Sequence, residues 1–210
     1  MGINLQAAVN ANRYINIRGI GNVFSYSINN INTNGLTLNG KLNFATAGAA
    51  VDFYPFPNHG LRFSPGVLMY NQNNASVNMT ASSGTSFTLN SVKYYSSSTD
   101  PITGTGNLGL NKTNPAFTMT TGWGNMISRR GGHFSVPFEL GAAFTGPAQI
   151  NMVLAGYACN AQGLNCVNVA TDPTVQSNLQ AQITKYQNDV NKVNIYPIFS
   201  IGIGYNFKLR

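Results

Sequence analysis

Three charged side chains in this sequence stand where strand-like alternation would turn them inward: Arg18, Arg62 and Glu139. Charges enclosed in a narrow interior must pair or meet water, because desolvation otherwise costs about several kcal/mol each. Their expected chemistry is an ion-pair network that fills or gates a lumen, with simple satisfaction of a polar interior as the plainer explanation. A second grouping, His133, Ser135 and Glu139, shares one strand face and has the residue types of a hydrolase trio. The short-turn end of the molecule is a poor place for such a site, so catalysis is not expected. His59 falls in a tight turn. Cys159 and Cys166 lie in a Gly/Asn-rich loop, where a disulfide and two free thiols are both open readings. No His or acidic ligand stands between them, and zinc would need more donors. Neither a metal site nor a cofactor is expected, and no glycine loop of the phosphate-binding kind is present.

The elements that must position these residues are strands. Seven are legible, at 3–11, 14–28, 36–56, 61–72, 115–126, 133–146 and 194–208. The clearest internal one sets Phe134, Val136, Phe138, Leu140, Ala142 and Phe144 against His133, Ser135, Pro137, Glu139, Gly141 and Ala143. In 36–56 the apolar phase passes from Leu36, Leu38, Leu42 and Phe44 to Ala47, Ala49, Val51 and Phe53, as a β-bulge near Ala45–Ala47 would cause. Asn29–Gly35 reads as an Asn-rich turn. Short breaks at Pro57–Gly60 and Ser128–Gly132 alternate with long connections at Asn71–Pro115 and Asn151–Val193. One helix is expected from Asp172-Pro173 onward, since Asp can cap, Pro suits the first turn, and Val175, Leu179, Ile183, Tyr186 and Val190 recur at helical spacing.

Composition narrows the class. Charged residues make up 8% of the chain, with net charge +7, about a third of the share usual in soluble proteins. Mean hydropathy is near zero, and no apolar run reaches the ~18 residues of a spanning helix. Apolar and polar residues are interleaved instead, as in a membrane β-barrel. The basic residues Arg13, Arg129, Arg130, Lys208 and Arg210 sit at strand ends, not on one groove-facing element, so no nucleic-acid partner is expected. Met1-Gly2 leads straight into strand-like sequence, so an exported protein would be represented here in a mature or trimmed form.

The last strand alternates most cleanly, with Ile195, Pro197, Phe199, Ile201, Ile203, Tyr205 and Phe207 on one face and Tyr196, Ile198, Ser200, Gly202, Gly204 and Asn206 on the other. Ser200, Gly202, Tyr205 and Phe207 fit a polar-x-Gly-x-x-apolar-x-aromatic tail. In this the chain resembles small bacterial outer-membrane β-barrel proteins, of the kind of the OmpA transmembrane domain and the OmpW-like barrels. It departs from them in carrying Lys208-Leu209-Arg210 after the terminal aromatic.

The resemblance implies one antiparallel transmembrane β-barrel domain over 1–210, all-β and of about eight strands, with a short helix in the last long loop. It implies a bacterial outer-membrane location, membrane lipids and the barrel-assembly machinery as partners, and Trp123, Phe134 and Tyr54 within an aromatic girdle near the short turns. The bulky strand faces should look outward and the modest faces line the interior. Seven strands cannot close an antiparallel barrel, so an eighth is expected upstream of Met1 or hidden in 76–95; the first alternative leaves an open edge between Ile3–Ala11 and Asn194–Phe207. Eight strands leave little interior room, so the expected role is structural or interactional, or the passage of very small solutes. A narrow carrier for hydrophobic molecules and a soluble β-sandwich binder are the alternatives.

Overall fold

Alternating residues need a sheet with two unlike faces, and the computed structural model supplies one; it describes residues 2–57, 59–110, 115–127 and 132–207. β1 (Ile3–Asn10), β2 (Ile15–Thr33), β3 (Leu36–Phe53) and β4 (Arg62–Ala81) form an antiparallel meander. After β5 (Ser86–Leu89) and β6 (Val92–Ser96), the chain returns along β4 as β7 (Thr103–Gly109) and β8 (Ala116–Trp123). The strands β9 (Phe134–Ser135), β10 (Phe138–Phe144) and β11 (Gln149–Ala155) follow, with β10 on β8 and β11 on β7. Beyond β12 (Tyr157–Cys159), β13 (Val167–Asn168) and the helix α1 (Pro173–Val190), β14 (Ile195–Ile201) pairs with β10, and β15 (Gly204–Tyr205) with β9. The large sheet is a curled half-barrel whose path runs β1-β2-β3-β4-β8-β10-β14. Its two outermost strands run in the same direction, and no ladder joins them among the described residues. The expected open edge is therefore present. The segment 76–95 does not hide another wall strand: it completes β4 and supplies β5 and β6 to a separate small sheet.

The sheet faces decide between barrel and sandwich. Phe134, Phe199 and Ile203 are 73%, 68% and 82% exposed, and Phe138 is also exposed, while Arg62 and Glu139 retain 1% and 5%. The bulky faces look outward and the charges inward, as a lipid-facing barrel requires and a soluble sandwich forbids.

The apolar side does not stay outside along the whole strand. β2 and β3 pair without a break from Ile15↔Phe53 to Ile28↔Gly40, so Asp52, Ala50, Thr46, Phe44 and Leu42 all share the inward face. Val51, Ala49, Ala47 and Ala45 lie outward low on β3, and Asn43, Lys41 and Asn39 lie outward above them. The phase change in 36–56 is thus no bulge in β3; the apolar residues move from the outer face to the inner one as the strand rises. The actual bulge is in β4, where Leu68 and Tyr70 oppose Gly48 and Ala47, with Met69 as the extra residue. Above it, Met79 and Ala81 turn inward, leaving Asn74, Ser76, Asn78 and Thr80 outside.

These long upper strands correct the expected boundaries. Asn29–Thr33 belongs to β2, and the hairpin turns on Asn34-Gly35 alone, whose φ values of 48° and 78° suit a two-residue turn. Asn71–Ala81 is strand, not connection, as are 103–109 and 149–155. The upper ends carry a cap. There β5, β6, β12 and β13 form a four-stranded sheet, and α1 packs against β11 and β5. Leu89, Ile102, Leu154, Val169, Val175 and Leu179 form its core. Asp172 caps α1, accepting from the Val175 N–H at 2.9 Å. Val175 and Leu179 are buried and Ile183 packs on the core, but Tyr186 is exposed.

Candidate functional site

The base of the interior is where the sequence's isolated charges meet. Arg18 from β2 points inward because Ile17 and Gly19 take the outer face. Its guanidinium donates to both Glu139 oxygens, Nη1 to Oε2 at 2.6 Å and Nη2 to Oε1 at 3.1 Å. On its other side Nη2 lies 2.9 Å from Asp52 Oδ1, and Nε donates to the same oxygen at 3.1 Å. Arg18 Nη1 also donates to the Gln6 side chain of β1 at 2.9 Å. Arg62 from β4 approaches Glu139 Oε2 at 3.2 Å and donates to the Gly124 carbonyl at 2.8 Å. Thr120 donates to Glu139 Oε1 at 2.5 Å, and Ser64 to Asp52 Oδ1 at 2.7 Å.

Two cations and two anions from four different strands thus neutralise one another across the interior. Glu139, second in β10, touches both arginines. Below this layer, Asn16 and Tyr54 are fully buried; Asn16 donates to the Tyr54 hydroxyl, which also receives the Met126 N–H at 3.2 Å. Tyr54 is therefore not part of an outer aromatic ring: it continues the inward parity of Ala50 and Asp52, its N–H still donating to the Tyr14 carbonyl at 2.8 Å. Trp123 and Phe134 are exposed on the outer face.

Arg18, Arg62 and Glu139 were recognisable from alternation. Asp52, buried between the outward residues Val51 and Phe53, was equally legible from alternation and was missed. The hydrolase trio is not assembled: Glu139 is held by the arginines, while the His133 ring stacks on Tyr205 with centroids 5.7 Å apart. At the tail, Ser200 pairs in register with Glu139 and faces inward, and Tyr205 packs edge-on against Phe134 and Phe207. Cys159 and Cys166 are joined as a disulfide in the cap. Arg129, Arg130, Lys208 and Arg210, the turn Ser128–Gly131 and Asn58 lie outside the described residues.

Above the ionic layer is a cavity of about 180 Å³, lined by Asn22, Thr46, Asn73, Thr118 and Ser200 on its polar side and by Ile20, Leu68, Ala143 and Ile198 on its apolar side. It adjoins a wider cleft of about 470 Å³ between the facing edges of β1 and β14.

Solved structures share this fold, two of them from Acinetobacter baumannii. The crystal structure of CarO from Acinetobacter baumannii, an outer-membrane β-barrel protein, superposes with a TM-score of 0.59 at 19% identity, covering 97% of this chain and 95% of that one. That of Acinetobacter baumannii CarO2 gives 0.58 at 16% identity, covering 98% and 97%. No protein-family model and no curated protein sequence matches the chain. At these identities the likeness shows the fold, a β-barrel, and extends over nearly the whole of both chains.

Proposed function

We propose that this protein is an outer-membrane β-barrel whose lumen is closed at the short-turn end and which carries a folded cap at the other. Its work is structural or interactional, and whatever crosses it is very small. The observation that carries this reading is the Arg18–Asp52–Glu139–Arg62 cluster, contributed by strands from around the wall and buried in its interior. A route past it would have to separate these ion pairs.

Membrane insertion is supported by the outer face. The ten residue steps from Ile195 to Tyr205, at ~3.3 Å each and a tilt of ~40°, give an apolar band about 25 Å tall, the height expected of an outer-membrane barrel. The turnover from apolar to polar outward residues at Ala45/Asn43 and Val23/Ser25 sets its upper limit. The short connections then face the periplasm and the cap faces outward. The Ser200, Gly202, Tyr205 and Phe207 tail fits recognition by the assembly machinery. A carrier for small hydrophobic molecules, the OmpW-like alternative, would need an apolar path through the base, which these four charges occupy.

Planar-bilayer recording tests the reading. The purified chain is expected to insert and give no steady conductance, whereas the double substitution Arg18→Ser, Glu139→Ser should open a measurable one. A large, steady conductance from the unmodified protein would refute closure at the base.

A further inference from the structure

The cavity above the ionic layer has a chemistry of its own. Asn71 and Asn73 stand two apart on β4, on the inward side of the bulge, and Asn71 lies opposite Thr46 in register. Both side-chain carbonyl oxygens are buried without a hydrogen-bond partner; Asn73 lines the cavity, whereas Asn71, 2% exposed, is packed in the wall outside that lining. Buried acceptors are normally satisfied, and leaving one unpaired costs about 1–3 kcal/mol. Across from them, Asn22 donates to Thr46 Oγ1 at 2.9 Å, which leaves the Thr46 hydroxyl hydrogen available as a donor. Carbon from Ile20, Leu68, Ala143 and Ile198 interrupts a lining that Gln6, Thr118 and Ser200 keep polar around the rest of the wall.

No uncompensated charge faces this space. Glu139 at its floor is already held by Arg18, Arg62 and Thr120, so an entering ion would lose its hydration without gaining a counter-charge. A neutral molecule with several hydroxyls on a short carbon chain matches such mixed walls: one O–H donates to the orphan Asn73 oxygen, others reach Thr46, Thr118 and Ser200, and its C–H groups lie against Ile20 and Leu68. The volume, about 180 Å³, equals the liquid share of roughly six waters, enough for a short polyol. We propose that the cavity above the ionic layer is a binding site for a small neutral polyol of three or four carbons. The proposal rests on the closed-barrel reading, since the ionic layer forms its floor.

The test is saturation-transfer NMR on the detergent-solubilised protein with erythritol as the probe and lysine and acetate as charged comparators. Erythritol is expected to give saturable transfer, and the charged probes none. Asn73→Leu, which keeps the branched shape and removes the amide, should weaken binding about tenfold. Ala143→Phe, which fills the cavity, should abolish it, while the cap variant Asp189→Asn should leave it unchanged. Folding of each variant is checked by its heat-dependent shift in electrophoresis; if Ala143→Phe does not fold, Asn73→Leu alone decides. Absence of saturable transfer in the folded wild type, equal binding by Asn73→Leu, or equal binding of lysine or acetate would overturn the proposal. Bilayer silence without erythritol binding sinks the site and spares the closed barrel. Steady wild-type conductance with saturable erythritol binding does the reverse.

Discussion

Replacing Glu139 by Gln removes one negative charge while keeping the side chain's size, and the structure indicates how much that should matter. The carboxylate takes two hydrogen bonds from Arg18, at 2.6 and 3.1 Å, one from Arg62 at 3.2 Å and one from Thr120. Without it, two buried arginines share the single carboxylate of Asp52, which Arg18 already holds from the other side. Breaking a buried ion pair by deleting one partner typically costs about 3–5 kcal/mol, and the second arginine places this site at the upper end of that range. Asp189→Asn is the internal control: it also deletes one ion-paired carboxylate, but the Lys192–Asp189 pair, at 2.9 Å, is exposed on both sides and should contribute less than about 1 kcal/mol. The assay is reversible urea unfolding into lipid vesicles, read by Trp123 fluorescence, alongside bilayer recording. Glu139→Gln should lose several kcal/mol or, if water enters to solvate the arginines, acquire conductance. A variant equal to Asp189→Asn in stability and silent in bilayers would show that the cluster neither holds nor closes the lumen.

Three further outcomes are expected. A Cβ at Gly122 would stand 2.8 Å from the Arg62 guanidinium carbon and 2.5 Å from the Phe138 carbonyl; Gly122→Ala should therefore destabilise by about 1–3 kcal/mol, measured by the same unfolding assay, and no change would mean that Arg62 is loosely held. Reducing the Cys159–Cys166 disulfide should loosen the cap by roughly 2–3 kcal/mol and expose 156–194 to protease while the barrel's electrophoretic shift persists; joint collapse of the two would refute their separate cores. For the seam, no ladder joins β1 and β14 among the described residues, so a Leu5→Cys, Ile201→Cys pair in native membranes should be joined by a bis-maleimide of about 10 Å, two strand spacings, and resist direct disulfide formation; a direct disulfide would mean that the two edges pair with each other.

Where the strands lie in the apolar band, their sequence was nearly transparent. Phe134 to Phe144 and Ile195 to Phe207 alternate because one face meets hydrocarbon and the other a tight interior, and both strands were read within a few residues. The upper halves of β2, β3 and β4 were not, because there the constraint reverses. Ser25, Ser27, Lys41 and Asn43 face outward above the apolar band, while Phe24, Tyr26, Leu42 and Phe44 take the inner face. A reader expecting one rule along the strand meets a phase change and infers a bulge or a turn. β7 failed for a related reason: its Gly104 and Gly106 leave room for Met79 and Val77 of β4 and Leu154 of β11, so its apolar partners lie in other segments; β11 does alternate, with Ile150, Met152 and Leu154 on its buried side, and was passed over. The helix was legible because its cap, its N-terminal proline and its first three apolar positions are all local. The ionic cluster was legible only in part, since parity identifies an inward charge but cannot say that Arg18 would reach Asp52 on one side and Glu139, 121 residues away, on the other.

The cluster also bears on why this chain adopts one register. A barrel interior of Asn, Ser, Thr and Gly distinguishes itself only weakly from an outer face rich in Ala and Gly, and a slip of one residue would exchange the two. β2 shows the risk, because Gly19 and Gly21 stand on its outer side and offer hydrocarbon nothing to prefer. Arg18 removes the ambiguity. Shifted by one, it would face lipid, which costs an Arg about 2–4 kcal/mol at the midplane and less toward the base where this one lies, and Asp52 and Glu139 would lose their partner. The same holds for β4, where Arg62 precedes the bulge that resets the strand's parity. Long side chains from opposite walls can meet across the lumen only if every wall strand is in its native register, so the ion pairs reward the correct pairing of all four strands at once. Apolar filling of equal volume would pack the interior as well, but it would tolerate the slipped sheets that the charges exclude.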